Sequence, residues 1–181
     1  MTQIRTPKGQ ISYPFIFKPR KNFEREQYSA DIIFSENTDL SEIKKAIEEE
    51  KINKWGSDPK KHPKNLNNPI KFGDEDAQEY YKGKYYLTAY TGAENGRKLY
   101  ICNRDKKILD HPSDIVGGDW CMFAIQFKAY TYKGKNGIST YLQGVQLVEK
   151  TDEPFSGNAS AENMFDSMAE DDYEQNEDMF K

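Results

Sequence analysis

The segment that most restricts the fold of this chain is "DWCMFAIQFKAYTYKGKNGISTYLQGVQLVEK", residues 119–150. In its first half an apolar residue stands at every second position, namely Cys121, Phe123, Ile125, Phe127 and Ala129. This alternation is typical of a strand with one buried face. Because Gly134 and Gly137 mark a turn and a second apolar segment follows, the sequence predicts a long C-terminal β-hairpin.

Four shorter segments also show strand signals, at residues 10–17, 27–34, 84–91 and 97–105. The residues predicted to share one face are Ile11, Tyr13, Phe15 and Phe17 in the first, Tyr28, Ala30, Ile32 and Phe34 in the second, and Tyr85, Leu87 and Ala89 in the third. Since Pro14 lacks a backbone donor, we expect an edge or a bulge in the first strand.

The period of the apolar residues changes in "TDLSEIKKAIEEEKINKWG", residues 38–56. Leu40, Ile43 and Ile47 fall on one helical face, which predicts an amphipathic helix. Thr38 or Asp39 can cap its start, and Gly56 can end it. A loop with three prolines is expected to follow, over residues 57–70.

Strands, one helix and further strands predict a mostly β domain of the α+β class over residues 1–150. A five-stranded Greek-key barrel with the helix inserted between its third and fourth strands fits this order, and an open sandwich fits it too. At 181 residues the chain has room for one ordinary domain and an appendage. We assign the appendage to residues 151–181.

Charge divides the chain at this boundary. Residues 151–181 contain ten acids and one base, a charge of −9, whereas residues 1–150 carry 25 bases and 20 acids, a charge of +5. The composition of the C-terminal segment predicts a disordered acidic tail. A basic body joined to an acidic tail indicates a body that meets a polyanion and a tail that imitates one. A tail that only increases solubility is the alternative.

Several classes of protein do not fit the sequence. No apolar run is long enough to span a bilayer and the N-terminus lacks the apolar stretch of a signal peptide, so we expect a cytoplasmic protein. Cys102 and Cys121 are far apart and form no C-x-x-C pair, so neither a disulfide framework nor a zinc site is expected. Both are predicted to be buried or half-buried thiols, and no cofactor is implied.

An enzymatic alternative rests on the acidic stretch "GDEDAQE", residues 73–79. Its carboxylates, above all Asp74 and Asp76, could hold a magnesium ion for nuclease chemistry. Acids clustered in a turn are more often simply solvated, and we expect no metal site. Neither His62 nor His111 belongs to a recognisable nucleophile motif. A binding protein is therefore favoured over an enzyme.

Tyrosines interleaved with cations mark the candidate binding surface. The predicted nucleic-acid-binding residues are Lys84, Tyr86 and Tyr90, then Arg97, Lys98 and Tyr100, then Lys128, Tyr130, Tyr132, Lys133 and Lys135, with Arg5, Lys8 and Arg20 near the N-terminus. Unpaired bases stack on aromatic rings while lysine and arginine follow the phosphates. The pattern indicates a protein that binds single-stranded nucleic acid without strong sequence specificity, and it does not distinguish DNA from RNA. Ordinary cross-strand pairs and solubilising charges are the alternative.

Parts of the sequence resemble a known family. "TPKGQISYPFIFKPR", "QYSADIIF" before a helix, "IVGGDWCMFAIQFKAYTYKGKNGISTYLQGVQLV" and the acidic end are similar to bacteriophage single-stranded DNA-binding proteins of the T7-like OB-fold group. The resemblance implies an OB-fold barrel that acts in phage DNA replication, recombination and repair in the infected bacterium. It also allows a homodimer, and it places the ligand surface on the strand face that carries Tyr86, Tyr90, Tyr100, Lys128, Tyr130 and Tyr132.

The acidic tail is predicted to have two roles. Its candidate partner-binding residues are Asp171, Asp172, Glu174, Glu177, Asp178 and Phe180. Tethered to a basic body, the tail would compete with DNA for the groove and, once displaced, recruit phage DNA polymerase or helicase-primase. Tails of the resembling family commonly finish on the aromatic residue, whereas Lys181 follows here. A protein that mimics DNA to block a host factor is a further alternative.

Overall fold

The computed structural model describes residues 3–155, and it is mostly β with one α-helix in that range. The strands are β1 (Gln3–Arg5), β2 (Gly9–Asn22), β3 (Arg25–Ile33), β4 (Leu66–Asn67), β5 (Ile70–Phe72), β6 (Tyr85–Gly92), β7 (Tyr100–Cys102), β8 (Trp120–Tyr132) and β9 (Lys135–Glu149). The helix, α1, spans Ser41–Trp55, and single 3-10 turns lie at Pro59–Lys61, Glu94–Gly96 and Pro112–Asp114. The predicted mostly β class is confirmed.

The long C-terminal hairpin is formed by β8 and β9, which pair from Trp120 and Glu149 to Tyr132 and Lys135. Its two-residue loop has φ values of 47° at Lys133 and 75° at Gly134. A two-residue loop with positive φ at both positions forms the type of turn whose twist matches that of the paired strands. All five residues predicted to face inward are buried, so both the hairpin and its core face are confirmed.

Strand pairing runs in a closed circuit. β8 pairs with β2, β2 with β3, β3 with β6, β6 with β9, and β9 with β8. The pairing of β6 with β9 is parallel and the other four are antiparallel, so the sheet is mixed. The buried side chains that these five strands contribute include Ile11, Ile32, Leu87, Phe123, Ile125 and Leu142. The core therefore lies inside the circuit.

Helix α1 follows β3, the second strand of the circuit rather than the third as expected, and packs against β8 and β1. Its buried face contains Ile43, Ala46 and Ile47, in agreement with the predicted helical period. The Asp39 carboxylate accepts a hydrogen bond from the backbone N–H of Ser41 at 2.9 Å, which lowers the pKa of that carboxyl group. Gly56 ends the helix with φ of 89°. The predicted end of the helix is confirmed, but the predicted cap is wrong, because Leu40 occupies the N-cap position and makes no side-chain capping hydrogen bond.

The first long strand departs from the predicted alternation. Its pairing with β3 shifts register between Ser12 and Phe15, and Tyr13 there adopts φ of 47°. The bulge expected at Pro14 is confirmed, but the predicted face is wrong because an extra residue inverts the alternation beyond it. Ile16 is consequently buried while Tyr13 is 39% exposed.

Tyr85 corrects a second expectation. The sequence predicts that it shares one face of β6 with Leu87 and Ala89, yet it is 48% exposed while those two residues are buried. As the first residue of the strand it packs against the exposed ring of Phe72, with ring centroids 5.0 Å apart. The alternation predicted for β6 is therefore correct, but on this face the buried residues begin only at Leu87.

A buried carboxylate joins the loop before β8 to the end of β9. Asp119 is fully buried and accepts hydrogen bonds from the backbone N–H groups of Val116 at 2.8 Å and Thr151 at 3.0 Å, and from the ammonium group of Lys150 at 2.5 Å. We call these four residues the Asp119 junction. Because backbone donors on two separate segments share one acceptor, the junction fixes the direction in which the chain leaves the domain.

Between the junction and residue 155, the chain is in contact with the domain through Phe155. The Phe155 N–H donates to the carbonyl of Gly117 at 2.9 Å, and its ring stacks on Tyr80 with centroids 4.0 Å apart. The first residues of the acidic segment are therefore held at the Trp120 end of the hairpin.

Three further observations bear on the class of protein. Cys102 and Cys121 are buried free thiols, as predicted, and burial raises the pKa of Cys121. Across residues 3–155, no helix combines the length and apolarity needed to cross a bilayer.

Candidate nucleic-acid interface

A groove of about 790 Å³ lies over the outer face of the β8–β9 hairpin. Its walls come from β3, β6, β8 and β9 and from the segment that follows β6. The lining residues are Arg25, Glu26, Gln27, Tyr90, Thr91, Gly92, Glu94, Asn95, Arg97, Gln126, Lys128, Tyr141 and Gln143. We call it the main groove. It combines three cations and two acids with two tyrosines, so its lining carries a net charge of +1.

The two tyrosines of the main groove are held together. Tyr90 and Tyr141 meet where β6 and β9 pair in parallel, and their ring centroids are 5.6 Å apart at 60°. The Tyr90 hydroxyl donates to the Ser139 hydroxyl oxygen at 3.1 Å. Both rings are half-buried, so each keeps one part packed and another part open to the groove. Aromatic rings fixed in this way offer a stacking surface at little further cost in conformational entropy.

A chain of polar contacts positions Arg97 at the edge of the groove. Its guanidinium lies 3.5 Å from the Gln143 side-chain oxygen, and the Gln143 amide donates to Gln126 at 3.3 Å. The Tyr28 hydroxyl donates to the Arg97 carbonyl at 2.9 Å. This hydrogen bond holds the backbone of Arg97 in place, although Arg97 belongs to no strand. The cation is therefore oriented before any ligand arrives.

Two smaller depressions continue the main groove along the same face. The side groove, about 150 Å³, is lined by Asn67, Asn68, Pro69, Lys71, Thr88, Tyr90, Tyr130, Ile138, Ser139 and Thr140. The β7 pocket, about 350 Å³, is lined by Arg5, Tyr100, Cys102, Lys106, Met122, Phe123, Ala124, Gly144, Val145 and Gln146.

Strand β8 connects the three depressions. Met122 and Ala124 line the β7 pocket, Gln126 and Lys128 the main groove, and Tyr130 the side groove. These residues alternate with the buried ones, so they share the outer face of the strand. At roughly 3.3 Å per residue, the strip from Met122 to Tyr130 is about 26 Å long.

Part of the predicted set comes together on this strip. The residues found there are Arg5 and Tyr100 in the β7 pocket, Tyr90, Arg97 and Lys128 in the main groove, and Tyr130 in the side groove. Tyr130 lies against Gly137, where an added Cβ would stand only 2.6 Å from the tyrosine hydroxyl oxygen. The absence of a side chain at Gly137 therefore makes room for the Tyr130 ring.

Tyr86 and Lys84 lie elsewhere. The Tyr86 ring meets the edge of Tyr81 at 4.8 Å, and Tyr81 donates to the Asp31 carboxylate at 2.6 Å. Burial raises the pKa of Tyr86, and the carboxylates of Asp31 and Asp74 raise it further. This end of β6 is acidic, and neither Tyr86 nor Lys84 lines any of the three depressions.

The other predicted cations lie outside the three depressions, and several rest on rings of their own. Lys8 lies 5.2 Å from the Trp120 ring, Arg20 lies 4.7 Å from Phe15, and Lys133 lies 5.3 Å from Tyr132. Lys98 and Lys135 are exposed. Of these residues, Lys133 and Lys135 stand at the tip of the β8–β9 hairpin.

Sequence reasoning missed Tyr141, Gln126 and Gln143 as members of the site. Tyr141 alternates with the buried residues Thr140 and Leu142 along β9, a signal that was readable in the returning strand. Lys71 could not be found in this way, because only the tertiary fold brings it to the side groove.

The acidic stretch at 73–79 is engaged in local contacts. The Asp74 carboxylate accepts from the Asp76 N–H at 3.0 Å, and Glu79 pairs with Lys82 at 2.8 Å, which lowers the pKa of Glu79. In the part of the chain that the structure describes, no group of three or more potential ligands could hold a metal ion. A metal site built on Asp74 and Asp76 thus has no support from the geometry.

Comparison with known proteins assigns the family. The model of a family described as "Enterobacter phage Enc34, ssDNA-binding protein" matches residues 2–179. The chain belongs to this family. The resemblance to phage single-stranded DNA-binding proteins is therefore confirmed, and the Enc34 family is one of binding proteins rather than enzymes. Comparison with curated protein sequences gives no match.

Solved structures show the same fold. The single-stranded DNA-binding protein from bacteriophage Enc34 in complex with ssDNA is 26% identical, with a TM-score of 0.66 over 85% of this chain and 89% of that one. A C-terminal truncation of the Enc34 protein is 24% identical, with a TM-score of 0.65 over 84% and 88%. The bacteriophage T7 protein gp2.5 is 16% identical, with a TM-score of 0.62 over 88% and 98%, and shares the fold alone.

Proposed function

We propose that this member of the Enc34 family binds single-stranded DNA along the outer face of the β8–β9 hairpin, with little sequence preference. The observation that carries the proposal is the fixed pair Tyr90 and Tyr141 beside Arg97 and Lys128 in one groove. Bases of any identity can stack on the rings while the cations take the phosphates. The Enc34 protein, which shares the fold, was solved with ssDNA.

The low net charge of the main groove affects how binding works. Glu26 and Glu94 offset two of its three cations, so charge alone cannot supply the affinity. Stacking has to contribute a large share, and duplex DNA, whose base faces are hidden, would lose that share. We therefore infer a preference for single strands over duplexes.

The finer aspects of the fold and role belong to the same proposal. We interpret the closed circuit of β2, β3, β6, β8 and β9 as the five-stranded Greek-key barrel of an OB fold, with residues 1–150 as its domain. OB folds present a strand face and neighbouring loops to oligonucleotides. Coating of exposed strands would serve phage replication, recombination and repair in the cytoplasm of the infected cell.

Incubating the full chain with labelled single-stranded DNA, duplex DNA and RNA in magnesium buffer tests the function. We expect single strands to be retained uncleaved, with an affinity that falls as salt rises because phosphate binding releases counterions. Cleavage would support the nuclease built on Asp74 and Asp76 instead. A failure to retain any nucleic acid would favour the DNA-mimic interaction protein.

The acidic tail is proposed to compete for the same groove. Its candidate residues, Asp171 to Phe180, lie outside the described residues, but its point of origin at Phe155 is described. The 26 residues from 156 to 181 can extend over about 90 Å, whereas Lys128 is about 26 Å along β8 from Trp120. The tail can therefore reach the main groove. Displaced by DNA, it would be available to phage polymerase or helicase-primase.

Deleting residues 168–181 is expected to raise the affinity for oligonucleotides severalfold at low salt, because six carboxylates stop competing with the phosphates. The gain should shrink as salt screens the tail from the groove. A chain of full length with those six acids changed to amides is the matched control and should show the same gain. Unchanged or weaker binding of the deleted chain would contradict the competition.

A further inference from the structure

The tip of the β2–β3 hairpin carries an exposed phenylalanine. Phe23 is 92% exposed, the largest fraction among the large apolar residues of the described chain. Asn22 pairs with Arg25, so Phe23 and Glu24 form the two-residue loop. The tip therefore presents an apolar ring to solvent at the outermost point of the hairpin.

Phe23 is also a poor residue for its backbone conformation. It has φ of 55°, in the left-handed region that bulky residues avoid. Glu24 does not share the positive φ, and a hairpin loop with positive φ at its first position alone favours glycine there. Glycine would relieve the strain and remove the exposed ring. Since neither folding nor solubility explains the phenylalanine, a ligand is the better explanation.

The surroundings of Phe23 indicate which ligand. Arg25, Glu26 and Gln27, the next residues of β3, line the main groove. The pairing of β3 with β6 ends at Gln27 and Gly92, and one further hydrogen bond joins the Ala93 N–H to the Glu26 carbonyl. Phe23 lies beyond these contacts. The exposed charged residues of the hairpin are four cations, Lys18, Arg20, Lys21 and Arg25, and two acids, Glu24 and Glu26, so its net charge is +2. An aromatic ring among cations at the end of a groove suits a nucleotide that is leaving it.

We propose that Phe23 is a base-stacking finger at the end of the main groove. Its ring stacks on an unpaired base where the strand leaves the groove, while cations of the hairpin arms hold the neighbouring phosphates. The inference rests on the proposed function and adds to it a contact outside the groove itself. Stacking on an exposed ring is tolerant of sequence, because every base has a flat face.

The test measures the dissociation constant of the full chain for fluorescent oligothymidylate by anisotropy, with melting temperature measured in parallel. Phe23→Gly is expected to weaken binding about 5- to 30-fold. It should leave the melting temperature equal or higher, because glycine suits the positive φ. Phe23→Trp should retain wild-type affinity. Phe72→Ala removes an exposed phenylalanine outside all three depressions and should bind like the wild type.

The outcomes separate this inference from the function beneath it. If the wild type binds and Phe23→Gly binds equally well, the finger is wrong while the proposed function stands. Equal losses in Phe23→Gly and Phe72→Ala would also overturn it, because the effect would not be specific to the tip. If the wild type does not bind, the proposed function fails and the finger fails with it.

Discussion

Replacing Arg97 and Lys128 together by glutamine is expected to weaken binding of single-stranded DNA by about 10- to 100-fold at low salt. Both side chains line the main groove, and Arg97 is oriented by its contact with Gln143. Each phosphate that a cation neutralises contributes about 0.7 to the slope of log affinity against log salt. The double variant should therefore show a slope shallower by about 1.4.

Anisotropy titrations of a labelled oligonucleotide across a range of salt concentrations measure both quantities. The matched control is Lys44→Gln with Lys45→Gln, which removes the same charge from the exposed face of α1. We expect the control to keep nearly the wild-type slope. If both double variants lose the same affinity and slope, the net charge of the protein rather than the groove governs binding.

Asp119→Ala is expected to destabilise the domain by about 3 kcal/mol and to lower its melting temperature by about 6 to 12 °C. The alanine leaves the N–H groups of the half-buried residues Val116 and Thr151 without the acceptor that the fully buried Asp119 supplies. A buried donor without a partner costs about 1 to 3 kcal/mol. The loop before β8 and the end of β9 would then lose their common attachment.

Urea unfolding compares this variant with Lys150→Met, which keeps both backbone donors of the Asp119 junction and removes the ion pair together with the 3.2 Å hydrogen bond from Lys150 to the Asp114 carbonyl. The Lys150 side chain is 50% exposed, so solvent screens the pair, and we expect a loss of no more than about 1 kcal/mol. Asp119→Asn keeps one acceptor oxygen and should fall between the two. A loss in Lys150→Met as large as in Asp119→Ala would show that the charge matters more than the backbone acceptors.

Local patterns predicted the parts of the fold that depend on local physics. The alternation from Cys121 to Ala129 and the glycine at 134 specify the β8–β9 hairpin, because a strand has a period of two and its turn needs positive φ. The helical face of Ile43 and Ile47 is equally local. In β2, one extra residue at the bulge next to Tyr13 reverses which residues face inward beyond the bulge. A strict alternation read from the sequence does not include that extra residue, so the predicted faces are wrong there.

The candidate site depends on contacts between distant segments. Tyr90 meets Tyr141 only because β6 and β9 pair in parallel, and a linear sequence does not show that pairing. In sequence, Tyr86 and Tyr90 fall on the same face of β6. In the fold, however, Tyr81 and acidic groups lie beside Tyr86. Charge and aromatic content thus indicated the kind of ligand, while the fold decides which tyrosines can meet it.

The bulged strand has a consequence for crowding on DNA. In the described chain, β2 beyond its bulge pairs with β3 alone, which leaves one open edge. Pro14 and Pro19 cannot donate hydrogen bonds along this segment, and the exposed cations Lys18 and Arg20 repel their counterparts on a second copy. On a DNA strand coated as proposed, neighbouring copies would thereby be kept from merging edge to edge into a continuous, aggregating sheet.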